Sequence, residues 1–264
     1  MSRKDKSYLP RLRLRRRTRW ARRRLTAAPR PVRIVVVVAI LLAAFALANV
    51  VYHVVKKPTE LFVLIGHALD KEPADTWRSY GALFRASATS TITPELLAAL
   101  AQVESSGNPL ARTYWRWQLS LDPLAIYQPA SSAVGLFQMT DGAYAEAARF
   151  CIRGGAVVDD DCGLSRLSIR VIPRHAIELA SVYLDRNVGA VLARAGDGTA
   201  NPQQKQDLAA IIHLCGAGPA AAFVRRGFQP AAGERCGDHL VGAYLARVNA
   251  MKRQFLRLAA DDRN

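Results

Sequence analysis

The residue around which a chemistry can be built is Glu104. It stands in Glu104-Ser105-Ser106-Gly107-Asn108-Pro109, at the end of an apolar run that opens with Thr93-Pro94. Leu97, Ala101 and Glu104 fall at i, i+4 and i+7 and share a helical face with Leu100, so Glu104 sits on the rim of an apolar stripe. Gly107 suits the left-handed turn that ends a helix, and Pro109 blocks its continuation. A carboxylate in a last helical turn meets the negative end of the dipole, and partial burial adds a desolvation cost. Both disfavour the ionised form. A glutamate that keeps its proton is what a general acid needs to protonate a glycosidic oxygen. The plain alternative is a solvated helix-end carboxylate with no role.

Other chemistries find less support. Ser131-Ser132 lacks the Gly-x-Ser-x-Gly setting of a nucleophilic serine. His67, His175, His213 and His239 form no recognisable metal or nucleophile set, and no Cys-x-x-Cys occurs. No metal and no cofactor is therefore expected. A second acid for water activation is not close in sequence. Asp122 and Asp141 are the candidates, but Asp141 better suits the cap of the helix over 142–150.

Downstream of Glu104 runs Gly135-Leu136-Phe137-Gln138-Met139. Together with Glu104-Ser105 this resembles the lytic transglycosylase (SLT-type) family with a goose-lysozyme-like fold, where a Glu-Ser pair ends a helix and a Gly-Leu-Met-Gln-type segment faces it across the sugar cleft. Two weaker likenesses follow in order. Ala176-Ile177-Glu178-Leu179-Ala180-Ser181-Val182-Tyr183-Leu184 is similar to the family's Asn-Ile-x-Leu-Gly-x-x-Tyr-Leu helix. His213-Leu214-Cys215-Gly216-Ala217-Gly218-Pro219 stands where the family has Ala-Ala-Tyr-Asn-Ala-Gly-Pro. The likeness covers about residues 90–257. There are departures: the stretch from Glu104 to Gly135 is longer than usual and carries Tyr114-Trp115-Arg116-Trp117, Ala176 replaces Asn, and Cys215-Gly216 removes a phenol and an amide.

The resemblance implies cleavage of the MurNAc-β-1,4-GlcNAc bond of peptidoglycan without water. Glu104 would protonate the leaving oxygen, then accept the proton of the muramic C6 hydroxyl as that oxygen closes a 1,6-anhydro ring. It also implies substrate-side roles for Ser105 in orienting Glu104, for Gly135, Gln138 and Met139 in the facing segment, and for Tyr183 in the cleft. Trp115 and Trp117 lie on one face if their segment is extended, which suits stacking on sugar rings or anchoring of the loop. A hydrolytic muramidase, or a non-catalytic peptidoglycan-binding or envelope-assembly module of the same fold, are the alternatives.

The elements that must position these residues are mostly helical. Thr93-Pro94 and Asn201-Pro202-Gln203-Gln204 are N-terminal signals, the second with a capping box, and a further helix runs from Gly218-Pro219 to Gly227. Helices are also expected at 60–70, 74–87, 141–151, 174–188 and 238–257, with almost no strand-like alternation. The expected fold class is mainly α, a lysozyme-like helical domain behind a disordered basic arm and one transmembrane helix. Its divisions are 1–33 (arm), 34–55 (transmembrane), 56–89 (juxtamembrane helical segment) and 90–264 (transglycosylase domain).

Charge locates this domain. Of the net +16, residues 1–33 supply +13 from fourteen Lys/Arg and one Asp, so the other 231 residues carry only +3. Ile34–Val55 is a charge-free run of 22 residues, about 33 Å as a helix, enough for a bilayer core. An uncleaved anchor is favoured over a signal peptide ending near Ala46-Leu47-Ala48, because the basic segment and the apolar run are both long. The positive-inside rule keeps the arm cytoplasmic and puts the domain in the periplasm, at the inner membrane. Arg15-Arg16-Arg17 and Arg22-Arg23-Arg24 then suit anionic lipid better than nucleic acid. Expected partners are glycan strands, membrane lipid and secretion or cell-wall machinery. Cys151, Cys162, Cys215 and Cys236 are an even set, which suggests disulfides in a translocated domain. Three pairings are possible, the sequence neighbours being the simplest.

Overall fold

The computed structural model describes residues 28–56, 66–159, 162, 169–196 and 198–262. The chain divides into two compact units, Met1–Lys56 and Lys57–Asn264. Residues 1–27, with both arginine triplets, and 57–65, most of the expected juxtamembrane helix, lie outside the described residues. The described remainder of that expected helix, Gly66–Leu69, is a single 3-10 turn.

In the first unit the apolar run forms one helix, α1 (Arg30–Lys56), overrunning the charge-free stretch at both ends. Pro31 in its first turn costs nothing, since amide hydrogens there have no helical acceptor. Its 27 residues give about 40 Å of rise. Among the described residues it is the one helix long and apolar enough to cross a membrane.

The second unit is mainly helical: α2 (Pro73–Ala86), α3 (Pro94–Ser105), α4 (Asp141–Ala147), α5 (Pro173–Ala195), α6 (Pro202–Cys215), α7 (Ala217–Arg225) and α8 (Val241–Asp261). Among the described residues three short antiparallel ribbons join them: β1 (Trp115–Trp117) with β2 (Tyr127–Pro129), β3 (Cys151–Arg153) with β4 (Ala156–Val158), and β5 (Arg235–Cys236) with β6 (His239–Leu240). The start signals work as read. Thr93 Oγ1 accepts from Leu96 N at 3.3 Å, and Asn201 and Gln204 exchange bonds of 2.9 and 2.8 Å in a capping box. One cap differs from expectation. Thr140, not Asp141, caps α4, because Thr140 Oγ1 reaches Ala143 N while Asp141 is turned to Arg170. Helix α4 also stops at Ala147 rather than 151, since Cys151 enters β3 and is bonded to Cys162.

Helix α3 is the axle of this unit, packed along α8 and α2, while α5 packs on α6 and α7. The expected one-sided stripe is too narrow a description. Leu96 through Ala101 are all buried, so α3 is apolar all round and passes through the core. Complete burial of Leu96, Leu97 and Leu100 stabilises by about 1.5–3 kcal/mol each. The helix that presents Glu104 is thus fixed on every side before its last turn. The neighbour pairs Cys151–Cys162 and Cys215–Cys236 are both bonded, with Cα separations of 5.6 and 5.4 Å.

Candidate active site

Helix α3 ends where the residues change from apolar to polar. Ser106 takes the left-handed conformation (φ 51°) and Gly107 follows at φ 67°, so the reversal begins one residue earlier than the glycine suggested. Gly107 is required because a Cβ there would overlap Thr76. Lys71 locks the reversal, its amide donating to Ser106 O at 2.7 Å.

Glu104 points from this end into a three-residue polar cluster. The Tyr244 hydroxyl, from α8, donates to Glu104 Oε1 at 2.6 Å. His213 Nδ1, from α6, lies 3.5 Å from the same oxygen and 3.4 Å from the Tyr244 hydroxyl. The other ring nitrogen of His213, Nε2, is 3.0 Å from Phe137 O. A carbonyl can only accept, so Nε2 carries a hydrogen. Tyr244 is almost wholly buried, and burial first, then the Glu104 charge and hydrogen bond, push its phenol well above its ordinary value. It is a permanent donor at any working pH. Glu104 and His213 keep 19% and 13% of their side-chain exposure, so a ligand can reach both.

The Gly135–Met139 turn lies directly beside the helix end. The buried Ser105 hydroxyl is within 2.9 Å of Ala101 O and 2.8 Å of Leu136 O, so it ties the turn to α3. Its single hydrogen is spent on carbonyls, and Glu104 is held by Tyr244. Gly135, at φ 77°, admits the carbonyl of Arg170, which a Cβ would overlap. Gln138 has a left-handed backbone (φ 45°) and donates from its amide nitrogen to Ala111 O and Gly135 O at 3.0 and 2.9 Å. Met139 is buried and pairs by backbone with Val134. Arg170 closes the loop, donating to Met139 O at 2.8 Å and to Asp141 at 2.5 Å.

Two grooves adjoin this centre. One, of about 450 Å³, is lined by Asp70, Glu104, Asn108, Arg112 and Tyr114 among others. The other, of about 200 Å³, is lined by Gln138, Met139, Tyr183, His213 and Gly216 among others. Glu104 lines the first and His213 the second, with Glu104 Oε1 and His213 Nδ1 3.5 Å apart. Trp115 and Trp117 do share a face of β1, each stacked near Tyr127 of β2 at 5.1 and 4.6 Å. They belong to the long insertion after Glu104 and line neither groove. Asp122 caps a 3-10 turn in that insertion through Leu124 N at 2.9 Å, away from Glu104.

Residues 81–197 match the model of the transglycosylase SLT domain. The chain carries an SLT-type transglycosylase domain. No curated protein matches the chain. The SLT domain supports a transglycosylase-type function acting on peptidoglycan. The matched stretch contains Glu104, Ser105, the Gly135–Met139 turn and Tyr183, but His213, Cys215 and Tyr244 all follow it.

Three residues beside Glu104 escaped the sequence reading. Tyr244 sits in the apolar rhythm Val241-Tyr244-Leu245-Val248 and reads as core. Its signal is only the phenol itself, which needs a buried partner. In the sequence His213 is one of several histidines that form no metal or nucleophile set. Its signal was a titratable side chain in the fourth SLT-like motif, where the pattern has Ala. Asp70, in the first groove, accepts from Asn108 Nδ2 at 2.8 Å and stands at the end of the helix expected over 60–70, with no motif to mark it. The motif's missing phenol also has a physical account. Cys215 is bonded to Cys236, and a phenol reaches Glu104 from α8.

Proposed function

We propose that the chain is a membrane-anchored periplasmic lytic transglycosylase, with Glu104 as general acid and then base. The observation that carries this reading is one carboxyl, accepting from a buried phenol, in the wall of the groove of about 450 Å³. A glycan strand laid in that groove would present its scissile oxygen to Glu104. The Glu104 proton goes to that oxygen as the C1–O bond breaks, and the electron pair leaves with it. The carboxylate then takes the proton of the C6 hydroxyl, whose oxygen bonds C1 and closes the anhydro ring. One carboxyl suffices, because the nucleophile belongs to the substrate.

The supporting residues divide the work. Ser105 fixes the turn, so Gln138 and Met139 stand at a constant distance from the acid. With its nitrogen committed to the loop, Gln138 has its amide oxygen left for a substrate N–H or hydroxyl. Tyr183, its phenol raised by burial and then by Glu146, offers a neutral donor in the second groove. Trp115, Trp117 and Tyr127 form an aromatic ledge for distal sugars. Helix α1 would hold the domain at the inner membrane, with the arm on anionic headgroups at the cytoplasmic side.

A hydrolytic muramidase has one observation in its favour: Asp70 lines the same groove as Glu104 and could direct water. One experiment separates the two. The full chain in detergent is incubated with peptidoglycan sacculi and the soluble products are read by mass spectrometry. Products ending in 1,6-anhydro sugars, lost in Glu104→Gln by at least about a thousandfold, are expected. Ends heavier by one water would establish the hydrolase, and unchanged release by Glu104→Gln would remove Glu104 from the chemistry.

A further inference from the structure

We infer that the tip between β1 and β2, through Leu119 and Leu121, docks into the lipid leaflet on the domain's side of the membrane. The inference rests on the membrane-anchored reading of α1, and its test separates the two. The ribbon carries the densest exposed apolar surface of the second unit. Among the described residues this unit exposes nine large apolar side chains, and four of them fall within 114–121: Tyr114, Trp117, Leu119 and Leu121. Leu119 and Leu121 are as open as in an extended peptide, at 106% and 104%. A single exposed leucine is ordinary on a protein surface, whereas a cluster of this kind marks a contact surface.

The side chains name the chemistry of what covers them. Sugar rings stack on flat aromatic faces, and Trp115, Trp117 and Tyr127 supply those. A leucine has no flat face and no hydrogen-bonding group, so its partner is aliphatic, as an acyl chain is. The backbone of the tip suits a dry setting. Gln118 N donates to Ile126 O at 2.9 Å and Asp122 N to Ser120 Oγ at 3.1 Å. Leu124 N donates to Asp122 Oδ1 at 2.9 Å and Ala125 N to Asp122 O at 3.0 Å. Amide hydrogens satisfied inside the loop are what lipid demands. Arg116 and Asp122 are exposed charges on the same ribbon, so the docking is shallow. The leucines enter the acyl region and the charges stay among the headgroups.

The length of the tether decides for lipid over a partner protein. Nine residues, 57–65, separate α1 from Gly66, and a chain of that length reaches at most about 35 Å. Just beyond Gly66 the chain is fastened to the end of α3. Asp70 accepts from Asn108 Nδ2 at 2.8 Å, and Lys71 N donates to Ser106 O at 2.7 Å. The ribbon leaves from the same corner. Asp70 and Tyr114 line one groove, and Tyr114 O accepts from Ala130 N at 2.8 Å where the two strands begin. Leu119 is five residues past Tyr114, about 17 Å when extended. Tether and tip therefore share a root, and that root is within reach of the bilayer. A second foothold beside the tether fixes the tilt of the groove that holds Glu104, and with it the layer of glycan the acid meets.

The test uses the full chain in phospholipid nanodiscs whose acyl chains carry a nitroxide quencher. A fluorophore is attached to one added cysteine at a time, the four native cysteines being disulfide-bonded. Gln118→Cys puts the probe beside the tip, Leu41→Cys within α1, and Arg225→Cys at the exposed end of α7. Strong quenching is expected at positions 118 and 41 and little at 225. Adding Leu119→Ser and Leu121→Ser should return the probe at 118 to the level of 225. Each leucine withdrawn from lipid shifts the docked-to-undocked ratio by about tenfold or more. Tm should stay unchanged, because both leucines are fully exposed. Quenching at 41 with none at 118 overturns the inference, as does quenching at 118 that survives the double substitution. Both leave the anchor standing. A probe at 118 that ignores lipid but responds to soluble glycan strands gives the tip to sugar instead. No quenching at 41 removes the anchor, and the docking with it.

Discussion

The end of α3 and the insertion that follows it are neighbours in sequence but opposite in construction. At the helix end Glu104, Ser105 and His213 each face partners within 3.5 Å, and the supporting helix is buried on all sides. In the insertion, β1 and β2 pair over three residues only, Trp117 is 75% exposed, and Leu119 and Leu121 are entirely exposed. Placing a proton within a fraction of an ångström needs side chains whose positions are settled before substrate arrives. Gripping a polymer of repeating sugar rings needs area rather than exact placement, and on the proposed reading the aromatic faces of this thin ribbon would supply it. The first region is built to be still, and the second would be the one that is touched.

If that contrast holds, substitutions should separate into those that lower turnover and those that weaken binding. Tyr244→Phe should have the largest effect. It removes a charge-assisted bond to Glu104 worth about 1.5–3 kcal/mol, which is roughly 10- to 150-fold in kcat/KM for release of anhydro products. Ser105→Ala comes next and acts on stability as well. It leaves the buried Leu136 carbonyl without its partner, costing about 1–3 kcal/mol and lowering Tm by about 2–4 °C per kcal/mol in thermal melts. Trp117→Ala should be the mildest, a rise in KM of about two- to tenfold with unaltered kcat and Tm, as expected for loss of about 0.5–1.5 kcal/mol of stacking. A larger kcat loss from Trp117→Ala than from Tyr244→Phe would erase the distinction between the two regions.

What could be read from the residues follows from the range of the forces involved. Thr93 and Asn201 cap helices through bonds three residues away, so their roles were legible from four letters each. Glu104 was legible as well, because a helix end, a glycine and a proline all lie within five residues of it. Alanine blurred the next level. In Leu96-Leu97-Ala98-Ala99-Leu100-Ala101 it fits either face, so a helix buried all round read as a stripe. Asp141 reads as a cap in the sequence, yet Thr140 beside it fills that role, because Arg170 claims the carboxylate from 29 positions away. Tyr244 is 140 positions from Glu104 and His213 is 76 from Phe137, and no local pattern reports such encounters.

The bond between Cys215 and Cys236 has a bearing on when the site can exist. Cys215 is two residues beyond His213, and Cys236 is eight before Tyr244, so this one cross-link clasps the segments that deliver both partners of the acid. Closing a loop of 21 residues removes about 3 kcal/mol of freedom from the unfolded chain, and it does so at this corner. In a reducing cytosol the clasp is open. On the proposed reading, a centre assembled with the help of an oxidation step would mature only in the compartment that holds its polymer, so the order of synthesis, export and activity would be written into the covalent structure.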